Sequence, residues 1–105
     1  MSVLVDLADL PERLQEFDRG YLLTSKDGLV KAVSAWAVPA EGGTLRVATP
    51  GRGSVANVAA NPVVTLLFPP LTSPGMSLLV DGTAAADGDD VVVTPTGAVL
   101  HRPVP

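Results

Sequence analysis

Apolar residues recur at two different periods along this chain, and the change comes at Gly20. Before it, Leu10, Leu14 and Phe17 stand at i, i+4 and i+7, which is one face of an α-helix. Asp9 is placed to cap that helix. Pro11 suits its first turn, Glu12 stands where a capping-box acid stands, and Gly20 is a fitting stop. The pattern predicts a helix over residues 9–19, packed as a lid on the sheet. After Gly20 the period drops to two, or the apolar runs become continuous, and turn residues punctuate them. Strands are predicted over 21–25, 29–38, 44–49, 63–68 and 76–86, then short strands over 91–94 and 98–101 around Pro95-Thr96-Gly97. Lys26-Asp27-Gly28 is a hairpin turn with Asp-Gly at its centre. Asp81-Gly82, inside the fifth strand, predicts a bulge or a bend. A second, short helix is predicted over 54–60, ended by Pro62. The fold class is therefore mainly β: antiparallel strands with tight turns and small helices, closing or partly closing into a β-barrel.

Composition narrows this picture. The 105 residues make one domain, 1–105. Hydrophobic residues are 47% but aromatics only 4%, so the core must be built from Val, Leu and Ala. A domain of this size buries about 65% of its unfolded surface, so dimerisation would add appreciably to its stability. The formal net charge is −4 and the basic residues are scattered, which opposes nucleic-acid binding. With no cysteine and one histidine, His101, disulfides, thiol catalysis, zinc-thiolate sites and multi-histidine metal sites are excluded. No apolar run reaches the length of a membrane span, and the N-terminus lacks a signal-peptide pattern, so a cytoplasmic protein is expected.

The stretch from Thr49 to Pro62 carries the candidate chemistry. Thr49-Pro-Gly51-Arg52-Gly53-Ser54 joins a strand to the short helix, with two glycines flanking an arginine and a serine placed to cap. N–H groups at a helix N-terminus attract anions, and a guanidinium adds charge-assisted hydrogen bonds, so the turn can seat one phosphate. The alternative is a glycine-rich connection with a surface arginine. Gly51-Arg-Gly53-Ser-Val-Ala56 also matches G-x-G-x-x-A, but Pro62 ends the helix after about two turns, and residues 69–79 hold no acid to meet a ribose. This context argues against a dinucleotide-binding βαβ unit. The lack of a G-x-S-x-G elbow argues likewise against a Ser–His–Asp hydrolase.

From about Leu10 to Ala86 the chain resembles the flavin-binding split-barrel family related to pyridoxamine 5′-phosphate oxidase. The likeness rests on the helix before Gly20, the Tyr21-Leu-Leu-Thr-Ser-Lys-Asp-Gly28 hairpin, and the strand Val33-Ser-Ala-Trp-Ala-Val38. It rests also on Val47-Ala-Thr-Pro-Gly-Arg-Gly-Ser54 with Asn57 and Asn61-Pro62 after it, and on Leu78-Leu-Val-Asp-Gly-Thr-Ala84. The resemblance implies a homodimer with flavin mononucleotide (FMN) sites in its interface. By position, Thr49, Arg52, Gly53 and Ser54 would hold the phosphate, and the isoalloxazine ring would lie along Val33, Ser34, Ala35 and Trp36. It implies an oxidoreductase using FMN or a related flavin or deazaflavin, with hydride transfer carried by the cofactor and no catalytic side chain assigned. Many members carry two basic residues at the turn, whereas here Arg52 is alone and Val55 follows Ser54. The substrate-binding C-terminal segment of the vitamin B6 oxidases has no counterpart, so their named activity is not expected. The alternatives are a non-enzymatic dimeric module that has lost tight flavin binding, or a haem-binding one with His101 as axial ligand.

Structural readings stand beside these. Trp36 is more often core or interface than a cofactor contact. Asn57 and Asn61 read as structural, with Asn61 closing its helix in αL geometry before Pro62. Lys31 would supply the missing second cation or blunt a sheet edge. His101-Arg102-Pro103 reads as an exposed tail.

Overall fold

The computed structural model describes residues 1–102, so Pro103 of the expected tail lies outside the described residues. Eight strands form one sheet in which every pairing is antiparallel. They are β1 (Ser2–Leu4), β2 (Gly20–Lys26), β3 (Leu29–Ala35), β4 (Ala37–Pro39), β5 (Leu45–Val47), β6 (Val63–Phe68), β7 (Ser77–Asp87) and β8 (Asp90–His101). The order is β3-β2-β6-β7-β8-β5-β4, with β1 added to β8. β3 and β4 are the two ends of that order, yet they are joined by the single residue Trp36. The sheet must therefore roll until its edges meet at Trp36, without a hydrogen-bonded seam between them. The strand expected over 29–38 is in this sense two strands, because its halves pair with opposite ends of the sheet.

The period-two pattern becomes the barrel interior. Leu22 and Thr24 of β2, Val64, Leu66 and Phe68 of β6, Leu78 and Val80 of β7, and Leu45 and Val47 of β5 are all buried. In β8 the inward parity changes along the strand, from Val91 and Val93 to Ala98. A bulge makes this change: Asp81 pairs with Gly97 and Gly82 with Pro95, which leaves Thr96 as the extra residue. The irregularity falls at Asp81-Gly82 as expected, but the extra residue is in the partner strand. The two short strands expected around Pro95-Thr96-Gly97 are thus one bulged strand. Gly82 has its Cα so close to β8 that a Cβ would lie 2.5 Å from the Thr94 carbonyl oxygen.

The first helix is shorter than its pattern. A 3₁₀ turn at Leu7–Asp9 leads into α1 (Leu10–Leu14), and the cap is Asp6, which accepts the Ala8 N–H at 3.0 Å, whereas Asp9 makes no capping bond. Beyond Leu14 the N–H groups of Gln15, Glu16 and Phe17 bond three residues back, in tighter turns. Those turns bring the Phe17 ring to 6.3 Å from that of Phe68, so apolar contact with the barrel overrides continuation of the helix.

α2 (Arg52–Ala60) packs against β2, β7 and β8. Two asparagines one helical turn apart pin it to β2: Asn57 Nδ2 donates to Thr24 Oγ1 and Asn61 Nδ2 to Ser25 Oγ, each at 3.0 Å. Asn61 is extended, at φ −144°, and not αL, because the proline after it disfavours helical backbone at this position. Its Oδ1 accepts the Val63 N–H at 3.1 Å. Both asparagines are structural, as expected.

Candidate functional site

The turn from β5 into α2 is held open by a network that starts on β5 itself. Arg46 reaches to the β7–β8 hairpin, donating through Nη2 to Asp87 Oδ2 at 2.6 Å and through Nη1 to Asp90 Oδ2 at 2.9 Å. The other Asp90 oxygen accepts the Thr49 N–H at 3.0 Å. Thr49 sits at φ 44°, an uncommon conformation for a β-branched residue, and this bond holds it there. The Thr49 N–H and then the Arg46 guanidinium keep the Asp90 carboxyl below the ordinary aspartate range, against partial desolvation. A group depressed in this way stabilises the fold above its unfolded value, and the contribution is lost as pH falls through the folded value. Asp90→Asn is therefore expected to lower the melting temperature near neutral pH. The gap to the parent should begin to close as pH falls below about 4, the ordinary aspartate value, and should vanish once pH is below the depressed value in the fold. A gap unchanged in strong acid would show that Asp90 acts through shape alone.

Gly51, at φ 110°, turns the chain into α2, and the first bond there is Val55 N–H to Gly51 O at 3.1 Å. The N–H groups of Arg52, Gly53 and Ser54 precede it, and no side chain caps this end. Arg52 is exposed and takes part in no salt bridge among the described residues. Ser54 is not the cap that its position in the sequence implied, because the helix starts two residues earlier than expected. Ser54 shares the buried face of α2 with Val58, and its Oγ has no hydrogen-bond partner. Thr49, Arg52, Gly53 and Ser54 thus share one turn, with Arg52 on its solvent side and the Ser54 hydroxyl withdrawn.

The other proposed contact segment divides by pleat. Val33 is half-buried against the core and Ala35 is buried, while Ser34 and Trp36 are exposed outside the barrel. The four side chains therefore do not share a surface. Arg19 lies over the Trp36 ring, 5.2 Å from its centroid, with Nη1 3.5 Å from Ser34 Oγ. Sequence reasoning missed Arg19 and the Arg46–Asp87–Asp90 network, since both join residues far apart in the chain. His101 is not a tail residue: it ends β8, half-buried, with Nδ1 2.9 Å from Ser2 Oγ.

No family model matches the chain. An uncharacterized protein of Mycobacterium bovis is 35% identical across 93% of this chain and 80% of its own length. Among solved structures, the FAD-binding protein of Mycobacterium smegmatis superposes with a TM-score of 0.67 at 19% identity, over 97% of this chain and all of its own. A Listeria innocua protein named after pyridoxamine 5′-phosphate oxidase superposes with a TM-score of 0.67 at 18% identity, covering 90% of this chain and 96% of that one. The chain belongs to one family with the Mycobacterium bovis protein, and its fold is the split barrel of the flavin-binding and pyridoxamine 5′-phosphate oxidase-like structures. The split barrel is the arrangement this chain adopts: a rolled sheet whose edges meet at one residue, with a short helix across it. Identities this low carry the fold, so the chemistry of this split barrel has to be argued from its own turn at residues 49–54. Among the described residues, no helix is long and apolar enough to cross a membrane.

Proposed function

We propose that this split barrel is a homodimeric flavin-binding oxidoreductase that holds FMN by its phosphate at the N-terminus of α2. One observation carries the reading: the first turn of α2 is uncapped and flanked by Thr49 and Arg52, a donor set suited to an anion. The fold supports it, since solved neighbours include FAD-binding proteins. Arg52 and the N–H groups of residues 52–54 would bind the phosphate, and the Thr49 hydroxyl would border it. The ring would lie along β3, meeting Ser34 and Trp36 by side chain and Val33 and Ala35 by backbone. A bound flavin supplies hydride transfer, and the protein's own share is to bind, orient and exclude water. The same donors suit the phosphate of a deazaflavin. The haem reading has less support, because it rests on the one histidine, with no second candidate ligand beside it.

The homodimer is supported by the outer sheet face. Val30 is 69% exposed, Val63 63%, Trp36 48% and Tyr21 42%, and all lie on β2, β3, β6 or the β3–β4 junction. Such a contiguous apolar face marks an interaction surface. Sedimentation at micromolar concentration is expected to give twice the chain mass. Val30→Glu should shift it to the monomer with the circular dichroism retained. A monomeric parent would refute the dimer.

Flavin binding itself is tested by titrating the purified protein with FMN, following the flavin bands and Trp36 emission. Saturation is expected, with riboflavin weaker. Absence of saturation with FMN and with a deazaflavin would overturn the reading. Binding without turnover of any donor would leave a non-enzymatic flavin carrier.

A further inference from the structure

The outer face of the sheet is apolar at its middle and carries one charge of each sign at opposite corners. Strand register sets Ser34 of β3, Tyr21 of β2, Leu67 of β6 and Leu79 of β7 in one row across that face. These residues alternate with the buried Leu22, Leu66 and Leu78, so they point away from the core. The neighbouring row runs Ala32, Leu23, Thr65 and Asp81, so an aspartate ends it. On the other side of the first row, two residues beyond Ser34, stands Trp36, with Arg19 over its ring. Trp36 on the β3 side and Asp81 on β7 are three strand spacings apart, about 14 Å across the strands, and Tyr21 and Leu67 lie midway.

Neither charge is balanced among the described residues, where both side chains are exposed and take part in no salt bridge. Arg19 lies over Trp36 with Nη1 3.5 Å from Ser34 Oγ, which leaves most of its five donors free. Asp81 accepts the Thr65 hydroxyl through Oδ1 at 2.8 Å, which leaves Oδ2 free to accept. Covering the apolar middle of the face would take both charges out of water, at a cost unless each meets its opposite. A partner of one charge sign would match one corner and oppose the other. A second copy of this chain matches both. In a two-fold contact, when a first residue meets a second, the second meets the first. Rotation about an axis through the middle of the face, near Tyr21 and Leu67, exchanges the two corners.

We propose that Arg19 of each protomer pairs with the partner's Asp81, twice per dimer, and that these two ion pairs fix the register in which the sheet faces meet. This rests on the homodimer reading and adds what orients it. Apolar burial is non-directional, so a face of Val, Leu and Tyr alone would tolerate sliding and rotation. Two charge pairs on opposite sides of the axis select one arrangement and penalise the rest, because any slip sets a charge against apolar surface or against its like. Stacking on Trp36 holds the Arg19 guanidinium in place before the partner arrives, which reduces the side-chain entropy lost on pairing.

The test measures dimer dissociation constants by sedimentation for the parent, Arg19→Asp, Asp81→Arg and an equal mixture of the two variants. Each variant alone sets like charges against each other at both contacts and is expected to weaken its dimer by about a hundredfold, roughly tenfold per contact. Asp81→Arg makes the chain less negative than its formal −4, so general repulsion alone would tighten that dimer, whereas the ion pair requires it to weaken. The mixture is expected to form a heterodimer about as tight as the parent, since one chain then brings acids to both contacts and the other brings guanidinium groups to both. Variants that dimerise like a dimeric parent overturn the ion pair and leave the homodimer standing. Variants that weaken but are not restored on mixing, with circular dichroism retained, overturn the pairing of these two residues. A monomeric parent overturns the homodimer reading itself and assigns the face to some other partner. If a charge reversal misfolds, Arg19→Gln and Asp81→Asn carry the test: each should weaken the dimer, and the two together should cost less than the product of their separate losses.

Discussion

Arg52→Ala is expected to weaken FMN binding by about tenfold to hundredfold and to leave riboflavin binding unchanged. A hydrogen bond to a charged group contributes roughly 1.5–3 kcal/mol, which sets that range. Riboflavin lacks the phosphate, so it has nothing to lose. The side chain is exposed and takes part in no salt bridge among the described residues, so its removal should not disturb the fold. Raising salt should weaken the parent in the same sense, because the exposed part of the contact is screened. Equal losses for both flavins would mean that Arg52 acts through the turn's shape. No loss for either would make the turn a glycine-rich connection carrying a surface arginine.

Leu66→Ala should lower stability by about 2–5 kcal/mol, through lost burial and the cavity left behind. Leu66 is 1% exposed at the centre of β6, between β2 and β7. The buried core is Leu, Val and Ala apart from Phe68, which is already packed against Phe17. Small domains lose about 4–8 °C of melting temperature per kcal/mol, so the drop should exceed about 8 °C. Leu66→Met keeps the volume and should cost less than about 1.5 kcal/mol. An alanine variant that melts with the parent would mean that β6 is not central to the barrel. Native stability is only about 5–15 kcal/mol in total, so the alanine variant should also bind flavin less well near its melting point.

Much of the barrel is legible in the order of residues. The apolar, β-branched-rich run over 63–68 and the Asp27-Gly28 turn report local preferences that the tertiary structure has no reason to overrule. Gly51-Arg52-Gly53 marks the turn into α2 for the same reason: glycines at a strand end leave the chain free to reverse. The start of α2 is misread from the residues alone, because Ser54 has the chemistry of a cap while Gly51 has the backbone freedom to make the turn. The first helix reads as too long, because Leu14 and Phe17 share a helical face but Phe17 is drawn onto Phe68, a residue 51 positions away. Thr96 cannot be read as a bulge, since its role is to rephase β8 against a strand that the local pattern does not identify.

Side-chain period and backbone freedom are local properties, and they suffice for strands β2, β5, β6 and β7, the turns at Asp27-Gly28 and Gly51-Arg52-Gly53, and a short helix after the second of these turns. Three further features need the whole fold: β3 and β4 lie at opposite edges of one sheet, Asp90 holds Thr49, and Lys31 lies over Gly53. Each is a meeting of residues between 22 and 41 positions apart, or of strands at the two ends of the sheet order. They form because rolling the sheet buries its apolar face, and the polar groups that meet at the rim are those that the roll happens to bring together.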